Sequence, residues 1–137
     1  MLSQTLIVTG ALLFGALGTL HLAYTLFTNK FSARDPATEA AMKATSPVLT
    51  SRTSLWDAWI GFNASHSLGA MLFAAVYLVL AFGHMPMLRE SPALLWLAVL
   101  AAASYLVLAQ RYWFRTPLVG IALGTACFLG AAVAAPF

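Results

Sequence analysis

Two histidines, His21 and His66, each sit inside a long apolar run, and imidazole is the side chain that can hold a metal or move a proton near neutral pH. Around the first, Phe14, Leu17, Gly18, Tyr24, Thr25 and Thr28 recur at three- or four-residue spacing, so they share one helix face. Around the second, Trp59, Asn63, Ser67 and Ala70 do the same. Polar residues inside an apolar span are expensive in lipid and normally face other helices. Three chemistries stay open for this layer. It can be a packing node in which Asn63, Ser67 and the histidines satisfy one another and fix the helix register. It can ligate haem iron through one or both histidines. It can do acid-base work on a lipophilic substrate, with Tyr24 or Tyr105 supplying a hydroxyl. Zinc and di-iron sites are disfavoured, because the apolar spans carry no carboxylate, Asp57 lying only at a boundary. No His-Glu-x-x-His string occurs, and the single cysteine, Cys127, forms no intrachain disulfide and reads as a small buried side chain.

The elements that must position these residues follow from hydropathy. The chain has 137 residues, 61% hydrophobic and 8% charged, against roughly 25% charged in soluble domains. So few charges cannot cover a water-facing surface, and the solvent for most of the chain is lipid. A span needs about 20 apolar residues. Four stretches qualify: about 6–27, 56–82, 93–109 and 117–135. They must be helices, since lipid cannot satisfy open backbone groups and four short spans cannot close a barrel. The expected fold is therefore all-α: an integral membrane four-helix bundle forming a single transmembrane domain over 1–137. Gly10, Gly15, Gly18, Gly69, Ala70, Ala74, Gly120, Gly124 and Gly130 are the small residues through which such helices pack.

The connections differ in character. Residues 28–55 form a long polar loop in which 35–43 reads as a short capped surface helix. Residues 83–92 read as a tight turn, with Ser91 as N-cap and Pro92 opening the third span. Residues 110–116 form the third connection, with Pro117 opening the last span. The leading residues lack the basic segment of a secretory signal, so the first span reads as a retained helix.

Basic residues set the orientation. Lys30, Arg34, Lys43, Arg52, Arg111 and Arg115 fall on one side and only Arg89 on the other. The long loop is thus expected in the cytoplasm and both termini outside, in a bacterial cytoplasmic membrane. The formal charge of +3 with a pI near 9.4 then reports topology, and no nucleic-acid partner is expected. Trp56, Trp59, Trp96 and Tyr112 to Phe114 fall where an interfacial aromatic belt belongs. His21 lies six residues before the first span ends, about 9 Å deep, and His66 ten residues into the second, about 15 Å deep. Ser104 and Tyr105 on the third span reach a similar depth, whereas His84 sits in the opposite loop, where it is solvated.

The string Trp56 to Gly69, with Gly61-Phe62-Asn63-Ala64-Ser65-His66-Ser67 at its centre, resembles a family of small bacterial four-helix membrane proteins. Gly18 to Leu22, Met42 to Pro47 and Arg111 to Phe114 extend the resemblance over nearly the whole chain. It implies a topology and no particular activity. A shorter stretch is similar to the styrene oxide isomerase family, small four-helix membrane proteins with a tryptophan followed by His-Ser near the start of the second span. Trp59 and His66-Ser67 are the matching residue types. Six residues separate Trp59 from His66, more than in the isomerases, and Asn63 precedes the histidine where their asparagine follows it. That similarity implies haem b at His66, acting there as a Lewis acid toward an epoxide.

The expected site is therefore His21, His66 and Asn63, with Tyr24, Ser67 and Tyr105 around it, binding haem or a lipophilic small molecule in an isomerase-like enzyme. The rival expectation is a non-catalytic accessory subunit of a larger membrane complex. Four helices bury little interior, so self-association into a homo-oligomer is also expected.

Overall fold

The structure, a computed structural model, describes residues 1–134. Six helices follow one another: α1 (Leu2–Phe27), α2 (Pro36–Ala44), α3 (Leu55–Gly83), α4 (Met85–Glu90), α5 (Pro92–Tyr112) and α6 (Arg115–Ala134). No strand occurs among the described residues. Helices α1, α3, α5 and α6 are each long and apolar enough to cross a membrane, as the hydropathy predicts. Their outward side chains suit that solvent: Leu72 and Leu100 are about two-thirds exposed, at 67% and 64%. The chain is a multi-pass membrane protein.

Helix boundaries depart from expectation where polar residues find partners. Helix α1 starts at Leu2 rather than near residue 6. Its polar first turn is tolerated because Gln4 Nε2 donates to the Ala81 carbonyl at 2.8 Å and Thr5 Oγ1 to that of Met1. Helix α5 continues three residues past the predicted end at residue 109, through Gln110, Arg111 and Tyr112. A basic side chain in the last turn complements the helix dipole, and the Trp113 N–H closes that turn on the Ala109 carbonyl. Helix α6 begins at Arg115, so Pro117 stands in its first turn, where a missing N–H costs no helical bond. Ala135, the predicted end of that span, lies outside the described residues. The predicted turn at 83–92 holds α4, a short helix anchored by fully buried Leu88.

Contacts within the chain cluster into two units, Met1–Leu17 with Ala70–Phe137, and Gly18–Gly69. The first unit has an aromatic centre. Phe14 meets Phe73 at 5.1 Å and Tyr105 at 5.6 Å, both edge-on, and Phe128 at 6.2 Å. Edge-to-face contact places the positive ring edge on the negative face of its neighbour. Small residues let the surrounding backbones close in: Ala11, Ala74, Ala98, Ala102, Ala131 and Ala132 are all buried. A Cβ on Gly10 would meet the Gly124 carbonyl at 3.1 Å, so α1 and α6 approach nearly backbone to backbone there. Thr125 Oγ1 donates to Ala102 and Ile121 carbonyls, joining α6 to α5. Tyr77 Oη donates to the Leu94 carbonyl at 2.7 Å, fixing α3 against the start of α5.

The second unit holds the end of α1, the long loop, α2 and the start of α3. The predicted capped helix at 35–43 is α2, displaced by one residue. Asp35 is its N-cap, accepting from the Ala37 N–H at 3.1 Å and from the Thr38 hydroxyl at 2.9 Å, and Pro36 opens the helix. Those bonds hold the Asp35 carboxyl below its ordinary range, the Ala37 amide contributing most. Lys43 donates to Glu39 one turn earlier at 2.6 Å and lowers that carboxyl too. The loop returns when the Leu55 N–H meets the Thr45 carbonyl at 2.9 Å. Ser54 then caps α3, its hydroxyl accepting from the Asp57 N–H and donating to the Asp57 carboxylate.

Candidate functional site

The second unit brings His21, Asn63 and His66 together. Helical spacing places Trp59, Asn63 and Ser67 one above another on α3, four residues apart. Asn63 is 6% exposed and Ser67 fully buried. Ser67 Oγ donates to the Asn63 carbonyl at 2.9 Å, and Asn63 Nδ2 to the Trp59 carbonyl at 2.8 Å. The second bond settles which way the amide points, because only its NH2 can donate to a carbonyl. Asn63 Oδ1 is thereby turned to His21 Nε2, 3.0 Å away on α1. An amide oxygen only accepts, so His21 carries its proton on Nε2 in this pair.

The half-buried ring of His66 lies beside that of His21, with centres 5.4 Å apart. His21 also meets Phe31, with ring centres 4.5 Å apart. Phe31 belongs to the long loop, and its carbonyl accepts from Trp59 Nε1 at 3.0 Å. The loop and α3 are thus tied together beside the histidines. Thr25 is buried one turn beyond His21 and donates back to the His21 carbonyl at 2.8 Å.

Not every expected residue joins this group. Tyr24 is 39% exposed, its ring lying under Lys30 Nζ at 5.2 Å. Tyr105 belongs to the other unit, where it packs on Phe14. Ser104 is exposed and bonds to the Leu100 carbonyl of its own helix. His84 is exposed at the N-cap of α4. Phe31 escaped the sequence reading: it lies four residues beyond α1, outside any helical repeat, and only its aromatic type in a polar loop marks it.

The donor chemistry is narrow. Among the described residues, no three His, Cys, Asp or Glu side chains gather as a metal-holding group. The Asp57 carboxylate is engaged by Ser54. Two imidazoles without thiolate or carboxylate suit haem iron better than zinc. Here the His21 and His66 rings adjoin, and His21 Nε2 faces Asn63. His66 and His21 are the side chains that would hold such an iron, with Asn63 beside His21.

Compared with known protein families, curated proteins and solved structures, the chain matches none.

Proposed function

We propose that this multi-pass protein lies in the bacterial cytoplasmic membrane with both termini outside, and that its His21–Asn63–His66 cluster binds a lipophilic ligand. The basic residues support the orientation, with Arg89 alone on the side of the termini. The observation that carries the binding reading is the pair itself: two imidazoles from different helices, adjoining at 5.4 Å, with His21 oriented by an amide fixed on Trp59. Haem b is the ligand whose donor requirement the cluster matches, with His66 to the iron. Bound haem supplies a Lewis-acidic iron. His21 and Asn63 would orient a polar group of a small apolar substrate, and rearrangement of such a substrate is the activity this reading leads to.

A second reading, a non-catalytic subunit of a larger membrane complex or homo-oligomer, also has an observation in its favour. Thr25, Asn63 and Ser67 each donate to a carbonyl of their own helix. No buried side-chain nitrogen or oxygen among the described residues lacks a partner. Such a layer can serve packing alone.

An absorption spectrum of purified protein, expressed with ample haem, separates the two. Binding of haem predicts a Soret band near one haem per chain, lost in His66→Ala and shifted in His21→Ala. A featureless spectrum, with no small molecule co-purifying in a His66-dependent way, sinks the ligand reading. Retention of a partner complex by His66→Ala would then favour the accessory role.

A further inference from the structure

Beside the histidines the second unit contains a shallow, open apolar pocket of about 290 Å³, lined by Phe31, Ser32, Ala33, Met42, Trp56 and Trp59. That volume stands at the lower edge of small-molecule sites, which run from roughly 300 to 1,000 Å³, and so admits only a small ligand. No charged side chain lines it. Lys43 Nζ, which lies over the Trp56 ring at 5.0 Å, is held by Glu39. Three of the six walls are aromatic and a fourth is a thioether, which favours ring edges and faces.

Two of those walls are shared with the histidine cluster. Phe31 lines the pocket and packs on His21. Trp59 lines the pocket, donates to the Phe31 carbonyl, and accepts from the amide that orients His21. We infer that this pocket receives an uncharged, planar ring compound and that Phe31 is the movable wall between it and the His21–His66 pair. The inference rests on the cluster being a ligand site and adds the class of ligand and its way in. Neutrality follows from the lining, since a charged ligand would find no counter-charge among these walls. Planarity follows from the aromatic faces, on which a flat ring stacks. The Phe31 side chain is the wall suited to turn, because it hangs from the loop between α1 and α2 with only its backbone held by Trp59, whereas Trp59 itself stands within α3.

The probe is 2-methyl-1,4-naphthoquinone, an uncharged ring compound that quenches tryptophan fluorescence, titrated into the purified full chain. Wild-type protein should quench saturably, because Trp56 and Trp59 line the pocket. Ala33→Phe, which fills the pocket from the loop, should weaken binding about tenfold or more. If that variant fails to elute as folded protein, Met42→Trp narrows the same pocket from α2 and carries the same expectation. His66→Ala should still quench saturably. Histidine modification by diethyl pyrocarbonate in a His84→Ala background reads the second half. Phe31→Ala should speed modification of His21 and His66, and bound quinone should slow it in wild type. Quenching that rises without saturating, or that both filling variants leave unchanged, overturns the pocket. Saturable quenching with histidine modification indifferent to quinone and to Phe31→Ala overturns the link. Failure of the cluster as a ligand site appears separately, in the spectrum and co-purification of His66→Ala.

Discussion

His21 Nε2 and Asn63 Oδ1 are 3.0 Å apart across α1 and α3, although they stand 42 positions apart in sequence. The bond is directional because Asn63 is oriented from behind by the Trp59 carbonyl. Interhelical bonds of this kind contribute about 0.6 kcal/mol on average in membranes, with about 1.7 as the upper end. A double-mutant cycle of His21→Phe and Asn63→Leu, followed by unfolding in mixed micelles, should give a coupling in that range. Additive single variants would mean the two side chains do not share a bond.

Glycines in this chain divide by what surrounds them. A Cβ at Gly124 would lie 2.8 Å from the Phe14 ring, which Phe73, Tyr105 and Phe128 hold in place. Gly124→Ala should therefore destabilise by about 1–3 kcal/mol, the range for overpacking a filled core. At Gly61 a Cβ would meet nothing within 4 Å. Gly61→Ala should be neutral or gain up to about 1 kcal/mol from helix propensity. Equal thermal midpoints for the two variants would contradict the packing described.

Tyr77 is 4% exposed, and its hydroxyl reaches the Leu94 carbonyl at 2.7 Å. Tyr77→Phe keeps the ring among Phe73 and Phe128 and removes only the bond. The expected loss is about 1 kcal/mol. Faster hydrogen exchange should appear at the start of α5, and unchanged exchange there would show that the bond contributes nothing.

The cap of α2 gives a pH dependence. Because the folded Asp35 carboxyl titrates below its ordinary value, its stabilisation is complete above about pH 3.9 and fades as pH falls through the folded value. At neutral pH, Asp35→Ala should lower the protection factors of the α2 amides. In strong acid, variant and wild type should converge. Protection that differs equally at both extremes would separate the cap from the carboxylate's charge.

Much of this architecture was legible because lipid imposes a coarse rule: twenty apolar residues make a span, and charges stay outside it. The capped α2 was equally readable, since Asp35-Pro36 is a local signal that needs no tertiary context. Boundaries were harder, because they depend on partners far along the chain. Gln4 joins α1 only because Ala81 offers a carbonyl, and nothing near Gln4 announces it. Within the cluster, period alone selected His21, Asn63, His66 and Ser67. The same period marked Tyr24, whose part-exposed ring lies under Lys30, and depth along the span could not reveal that Tyr105 packs on Phe14. Phe31 needed the loop path itself, which the Trp59 indole fixes at a distance of 28 residues.

The hydroxyl and amide groups on α3 and α6 mostly hide their donors on their own helices, so each can enter lipid alone. His21 differs, because its amide partner is made later. Ribosomes add roughly 5–20 residues per second, so Asn63, 42 positions after His21, follows it by about 2–8 s. During that interval α1 stands in the bilayer, or waits in an insertion machine, without Asn63. In those seconds the His21 N–H has yet to meet its Asn63 acceptor, and slowing translation between α1 and α3 should lengthen that exposure.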